Sequence, residues 1–173
     1  MSLWQRLFGG AKTPESTGRE PATEKPAGEM GPAAVPYAID QRPMPEGEDP
    51  ERLLPRQVGP YCRKPIICDP EDLLQPIYST YRLPRRFAVF RSKIYLQLGI
   101  CKDRSGALKA LSTAKAEMDA EFPDDPRVFC DRGDPSFFKT SDFMAWTRGR
   151  YYFGVHADGG EAELDAFMEA FPY

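Results

Sequence analysis

A single histidine serves the whole 173-residue chain. His156 stands in the stretch RGRYYFGVHADGG, Arg148 to Gly160, with Tyr151 and Tyr152 ahead of it and Asp158, Gly159 and Gly160 behind. An imidazole titrates near neutrality and can act as general base, general acid or metal ligand, but each role needs partners. No local motif supplies a nucleophile. One histidine with the dispersed Cys62, Cys68, Cys101 and Cys130 forms no recognisable set of ligands, so no metal is expected. The DGG segment leads into a helix, and helix N-termini bind phosphate. Here the P-loop lysine and the spaced glycines of a dinucleotide fold are missing, and Glu161 and Glu163 would repel an anion. No cofactor is expected, and DGG reads as a strand-to-helix turn capped by Asp158 or Gly160.

A second set of residues interleaves Arg82, Arg85, Arg86, Arg91 and Lys93 with Tyr78, Tyr81, Phe87 and Phe90. Cations and stacking aromatics on a sheet are what single-stranded nucleic acid requires. Residues 78–93 therefore carry an alternative, nucleic-acid reading. The formal net charge of −3 argues against a protein that coats nucleic acid non-specifically. That total hides an asymmetry: Arg82 to Lys115 holds nine Lys or Arg and one acid, a balance of +8, whereas Ala116 to Tyr173 has a balance of −8. Asp124, Asp125, Asp131 and Asp134 lack the spacing of a calcium loop, and the RGD at Arg132 to Asp134 reads as a turn.

The elements that would position these residues follow from hydrophobic periodicity. CDPEDLLQP reads as one or two helical turns capped by Asp69. IYSTYRL, FAVFR and IYLQLGI are strand-like, the last two meeting in a tight turn at Ser92 and Lys93. DRSGALKALSTAKAEMDAEF carries Leu108, Leu111, Met118 and Phe122 at helical steps after a cap at Asp103 or Ser105, and Pro123 closes it. RVFCD, FFKTS and FMAWTRGRYYFGVHA give further strands, and Leu164, Phe167, Met168 and Phe171 mark a final helix. Laid over itself at an offset of 57, the chain matches strand with strand and helix with helix, as in an internal repeat. The expected fold is an α+β two-layer sandwich. Its antiparallel sheet is built from two hairpin–helix units, with both helices packed on one face.

Up to about Pro50, Pro, Gly, Ala, Glu and Thr dominate, and such a stretch buries too little apolar surface to offset the entropy of ordering. Residues 1–50 are expected to be a disordered tail and residues 51–173 one domain. Within the tail, MSLWQRLF places Leu3, Trp4, Leu7 and Phe8 at helical spacing before Gly9 and Gly10. Such a peptide folds on a partner's groove, or makes weak peripheral contact with a membrane. No signal peptide and no apolar run of about 20 residues is present, which points to a cytoplasmic, bacterial protein with reduced thiols.

Alternation sets Tyr151, Phe153 and Val155 on one side of their strand and Tyr152, Gly154 and His156 on the other, where Tyr95 takes the matching place in the first unit. The expected function is a non-enzymatic adaptor. Its sheet face, with Tyr95, Trp146, Tyr152 and His156, would hold a protein partner, and Trp4, Leu7 and Phe8 would tether it. A small-ligand or enzymatic site around His156 is the remaining alternative.

Overall fold

A computed structural model describes residues 35–68, 77–82, 93–123, 128–131 and 133–173. The sequence elements Asp69–Pro76 and Phe87–Arg91 lie outside these residues, as does the N-terminal peptide. The described residues fall in one compact unit, Ala34–Tyr173. It opens with a 3-10 turn at Pro36–Gln41 and a short helix, α1, at Pro50–Leu53. Strands β1 (Gln57–Val58), β2 (Tyr61–Arg63), β3 (Ile67–Cys68), β4 (Ile77–Arg82) and β5 (Lys93–Ile100) come next. Helix α2 (Arg104–Glu121) then leads to β6 (Val128–Cys130), β7 (Phe137–Lys139), β8 (Phe143–Arg148) and β9 (Tyr151–Ala157), and α3 (Glu161–Ala170) closes the chain.

The sheet is antiparallel throughout and runs β1-β2-β4-β5-β9-β8-β7-β6, with β3 paired to β4. Lys93 begins β5 and pairs with Arg82, so it belongs to a strand and not to the tight turn expected at Ser92 and Lys93. Both helices start where the sequence places them. Asp103 caps α2 by accepting from the Gly106 amide at 2.9 Å, and Gly160, at φ 78°, occupies the N-cap of α3.

The helices pack against the sheet in an α+β fold. The 57-residue offset joins the ends of β5 and β9 and the starts of α2 and α3. Even so, the two helices take opposite faces, which corrects the expected two-layer arrangement. Phe167 of α3 and Phe171 at its C-cap meet Tyr81, Trp146 and Phe153 on one face. Lys115 of α2 stands 5.3 Å from the ring centre of Phe129, which shares the other face with Phe138, Ala145, Gly154 and Gln97 through the strand register. Helix α2 carries the chain from β5, past β9, β8 and β7, to the far edge at β6.

Each face has its own packing chemistry. Beneath α3 lies an aromatic core in which Trp146 stacks on Phe153 at 5.0 Å, with Phe171 edge-on to both. On the other face α2 buries Ala107, Ala110, Leu111, Ala114 and Met118, a stripe of mostly small side chains. The sheet beneath is equally lean, with Gly99, Ala145 and Gly154, and Tyr152 lies across both glycines. Small residues on both partners allow a helix to approach closely. The expected stripe through Leu108 and Phe122 is displaced, since both of those residues are only half-buried.

Residues 35–48 form a strap along the α3 side, where Ile39 is fully buried in the core. Two arginines hold it. Arg148, 5% exposed, donates to the carbonyls of Ile39 and, at 3.0 Å, Arg42, while its Nε lies 3.1 Å from the Met44 sulfur. Arg42 in turn donates to the Tyr37 carbonyl and to those of Met168 and Phe171, which covers the C-terminal end of α3. Composition does not register bonds of this kind, so the strap reads as tail in the sequence.

Candidate functional site

His156, the penultimate residue of β9, projects toward the α2 side of the sheet, beside its cross-strand neighbour Tyr95. The two rings lie 6.0 Å apart with their planes at 39°. Nε2 of His156 is 3.5 Å from Oδ2 of Asp142, and Nδ1 is 3.8 Å from Oδ1 of Asp158. The imidazole is thus flanked by two carboxylates and is 15% exposed.

Local folding places each partner. Asp142 sits in the turn between β7 and β8, where Thr140 Oγ1 donates to Asp142 Oδ1 at 3.2 Å and accepts from the Phe143 amide at 3.1 Å. The Asp142 carbonyl accepts from the Ala157 amide at 2.9 Å, which brings that turn against the end of β9. Asp158 begins the link to α3, and its amide donates to the Lys93 carbonyl at 3.0 Å. Lys93 lies 6.0 Å above the Tyr95 ring. The His156 side chain, by its hydrogen bond and charge, holds the Asp142 carboxyl below the usual carboxylate range, against the opposing effect of burial.

This arrangement sets the imidazole between two carboxylates, one at each ring nitrogen. It also joins two turns, β7–β8 and β9–α3, in the manner of an electrostatic clamp. The Cys101 thiol is unsuited to nucleophilic work, because burial and the nearby Asp103 push its pKa up. Among the described residues, no group of three or more His, Cys, Asp or Glu is placed to hold a metal ion, and no helix is long and apolar enough to cross a membrane.

The link between Asp142 and His156 sets a pH dependence. A carboxyl whose folded pKa is depressed stabilises the fold above its unfolded pKa, near 4, and that stability is lost as pH falls through the folded value. Replacing His156 with Ala removes the largest cause of the depression and leaves the bond from Thr140. Urea unfolding between pH 5 and pH 2.5 should show a shallower loss of stability in His156→Ala than in the parent. Parallel curves would mean that the pair makes no difference to Asp142.

The other residues singled out in the sequence are scattered by the fold. Tyr95 and His156 are neighbours with partly exposed side chains. Tyr152 is 2% exposed beneath α2, and Trp146 is fully buried on the opposite face against Phe153 and Phe171, so neither presents a ring to a docked partner. Trp4, Leu7, Phe8, Arg85, Arg86 and Arg91 lie outside the described residues. Arg82 ends β4, opposite Lys93 and Cys62, so only the flanks of the basic–aromatic segment 78–93 are described.

One strand expected from RVFCD was not singled out as a site. Strand β6 lies at the end of the strand order and pairs only with β7 among the described residues. Val128 and Phe129 on it are 41% and 40% exposed, the largest apolar exposures among those residues apart from Met44. The signal was legible: RVFCD puts two large apolar residues side by side without alternation, between Pro126 and Asp131. The chain matches no protein-family model, no curated protein and no solved structure.

Proposed function

We propose that this chain is a non-enzymatic, cytoplasmic binding module that docks an extended segment of another protein along β6. The observation that carries this reading is the pair Val128 and Phe129, exposed on a sheet edge whose outer side has no pairing strand among the described residues. A bare edge offers a row of backbone donors and acceptors, and an added strand gains main-chain bonds from them while the flanking side chains give selectivity. Val128 and Phe129 point to opposite faces, so an added strand meets an apolar contact on each side. Asp131, which follows β6, is exposed, and Lys115 of α2 stands 5.3 Å from the Phe129 ring, so an added segment meets charges of both signs beside its apolar contacts. With α2 over the central strands, docking moves from the sheet face to its edge. The N-terminal Trp4, Leu7 and Phe8 keep the role of a second, tethering contact that raises effective concentration.

The intact chain as bait, with captured proteins identified by mass spectrometry, tests the edge. Phe129→Glu should deplete specific partners at least tenfold, on the order of 1.4 kcal/mol or more, whereas Glu169→Lys on the exposed side of α3 should leave them unchanged. Equal recovery with Phe129→Glu removes the edge reading. A dimer of the intact chain that Phe129→Glu dissociates would instead make a second copy the occupant, and the reading of a foreign partner would fail.

A further inference from the structure

The strap carries a feature that partner docking leaves unused. Tyr37 and Ala38 are consecutive non-glycine residues in the left-handed region, at φ 55° and φ 50°. Side chains clash with the backbone there, and a bulky residue such as Tyr is rarely found in that conformation. Strain of this kind persists only where the surroundings impose it, and it collects at segments that switch.

The surroundings that impose it are mostly polar. The Tyr37 hydroxyl donates to the Asp165 carboxylate, and Lys139 lies 5.9 Å from the Tyr37 ring while also pairing with Glu161 at 3.2 Å. Burial, and then the bond to Asp165, hold the Tyr37 hydroxyl far above its ordinary pKa, so it stays a donor. Arg148 has no carboxylate within ion-pair distance among the described residues. Its guanidinium is satisfied by strap carbonyls and the Met44 sulfur. Only Ile39 adds a fully buried apolar side chain in the turn, with Val35 and Tyr37 partly buried against the core.

We propose that residues 35–48 are a releasable strap, which leaves the domain as a unit while the sheet stays folded and thereby bares Arg148 and the C-terminal end of α3. Strain favours release, and it is opposed by the arginine–carbonyl bonds, the buried Ile39 and Pro45, the Tyr37–Asp165 bond, the Tyr151 hydroxyl on the Gly47 carbonyl at 2.6 Å and the Arg150–Glu48 pair at 2.5 Å. The strap rests on different residues from the β6 edge, and either can fail without the other.

Native-state thiol labelling in the full chain, read peptide by peptide, tests release. A cysteine at the strap, Ile39→Cys, should be modified at least tenfold faster than one in the core of β9, Val155→Cys. Adding Ala38→Gly, which relieves the left-handed strain, should slow labelling at position 39 about fivefold. Equal rates at positions 39 and 155 would show that both thiols are exposed only by global unfolding, and would overturn the proposal. Should a cysteine variant fail to fold, chymotrypsin on the unaltered chain gives the same answer. It should cut after Tyr37 while the near-ultraviolet circular dichroism of the domain is still intact. A Tyr37–Ala38 bond that survives until that signal is lost would overturn release.

Discussion

Phe167→Ala should cost the domain about 3–5 kcal/mol, the usual range for removing a fully buried aromatic side chain, and should lower its melting temperature by about 10 °C or more. Phe167 on α3 is fully buried. Its ring meets Tyr81 edge-on at 5.1 Å and Tyr61 at 5.6 Å, and stacks with Phe171 at 5.7 Å. It therefore joins β2, β4 and the end of α3. The cavity left by Ala would be hard to fill, because Tyr81 is tied through its hydroxyl to the Pro55 carbonyl at 2.8 Å. Residual cavity, added to lost transfer energy, is what drives such substitutions toward the upper end of the range. Phe129→Ala makes the matched control: its ring is 40% exposed on an edge strand, so its loss should change stability by less than about 0.5 kcal/mol. Chemical unfolding of both variants, followed by circular dichroism, separates a core aromatic from a docking one. A cost below 1 kcal/mol at Phe167 would mean that α3 does not pack as described.

How much of this was readable in the chain depends on the kind of force involved. The apolar periods of IYLQLGI and RYYFGVHA and the cap at Asp103 announce themselves, and β5, β9 and α2 follow. The split of Tyr151, Phe153 and Val155 from Tyr152, Gly154 and His156 is also found in the sheet. What alternation alone does not convey is whether the second face is wet. Gly99, Ala145, Gly154 and the alanines of α2 have too little side chain to signal burial, and a small-residue stripe looks polar-neutral on any hydropathy scale. The site was half legible for a related reason. Asp158 lies two residues from His156 in the chain, whereas Asp142 reaches it only through the pairing of β8 with β9. Arg42 and Arg148 escaped notice because main-chain carbonyls, which every sequence has, are their partners.

Gly154→Val decides between the wet and the covered face by the sign of its effect. On an open strand, a side chain in place of glycine reduces the entropy lost on folding and raises stability by about 0.5–1 kcal/mol. Here a Cβ at position 154 would stand 3.0 Å from the Tyr152 hydroxyl and 3.5 Å from Gln97 Oε1. Tyr152 has little freedom to move aside, for it is 2% exposed and also rests on its cross-strand partner Gly99, where the corresponding contact is 3.5 Å. Two further methyl groups must then be fitted beneath the alanine stripe of α2. Overpacking of this type costs about 1–3 kcal/mol, so Gly154→Val should destabilise the domain, and pairing it with Tyr152→Ala should recover part of the loss by opening space. The double-mutant cycle reports the coupling directly. Stabilisation by Gly154→Val alone would show that α2 does not cover the center of the sheet. In that case Tyr95, Tyr152 and His156 would return as an accessible surface, and the β6 edge would no longer be the best-supported place for a partner.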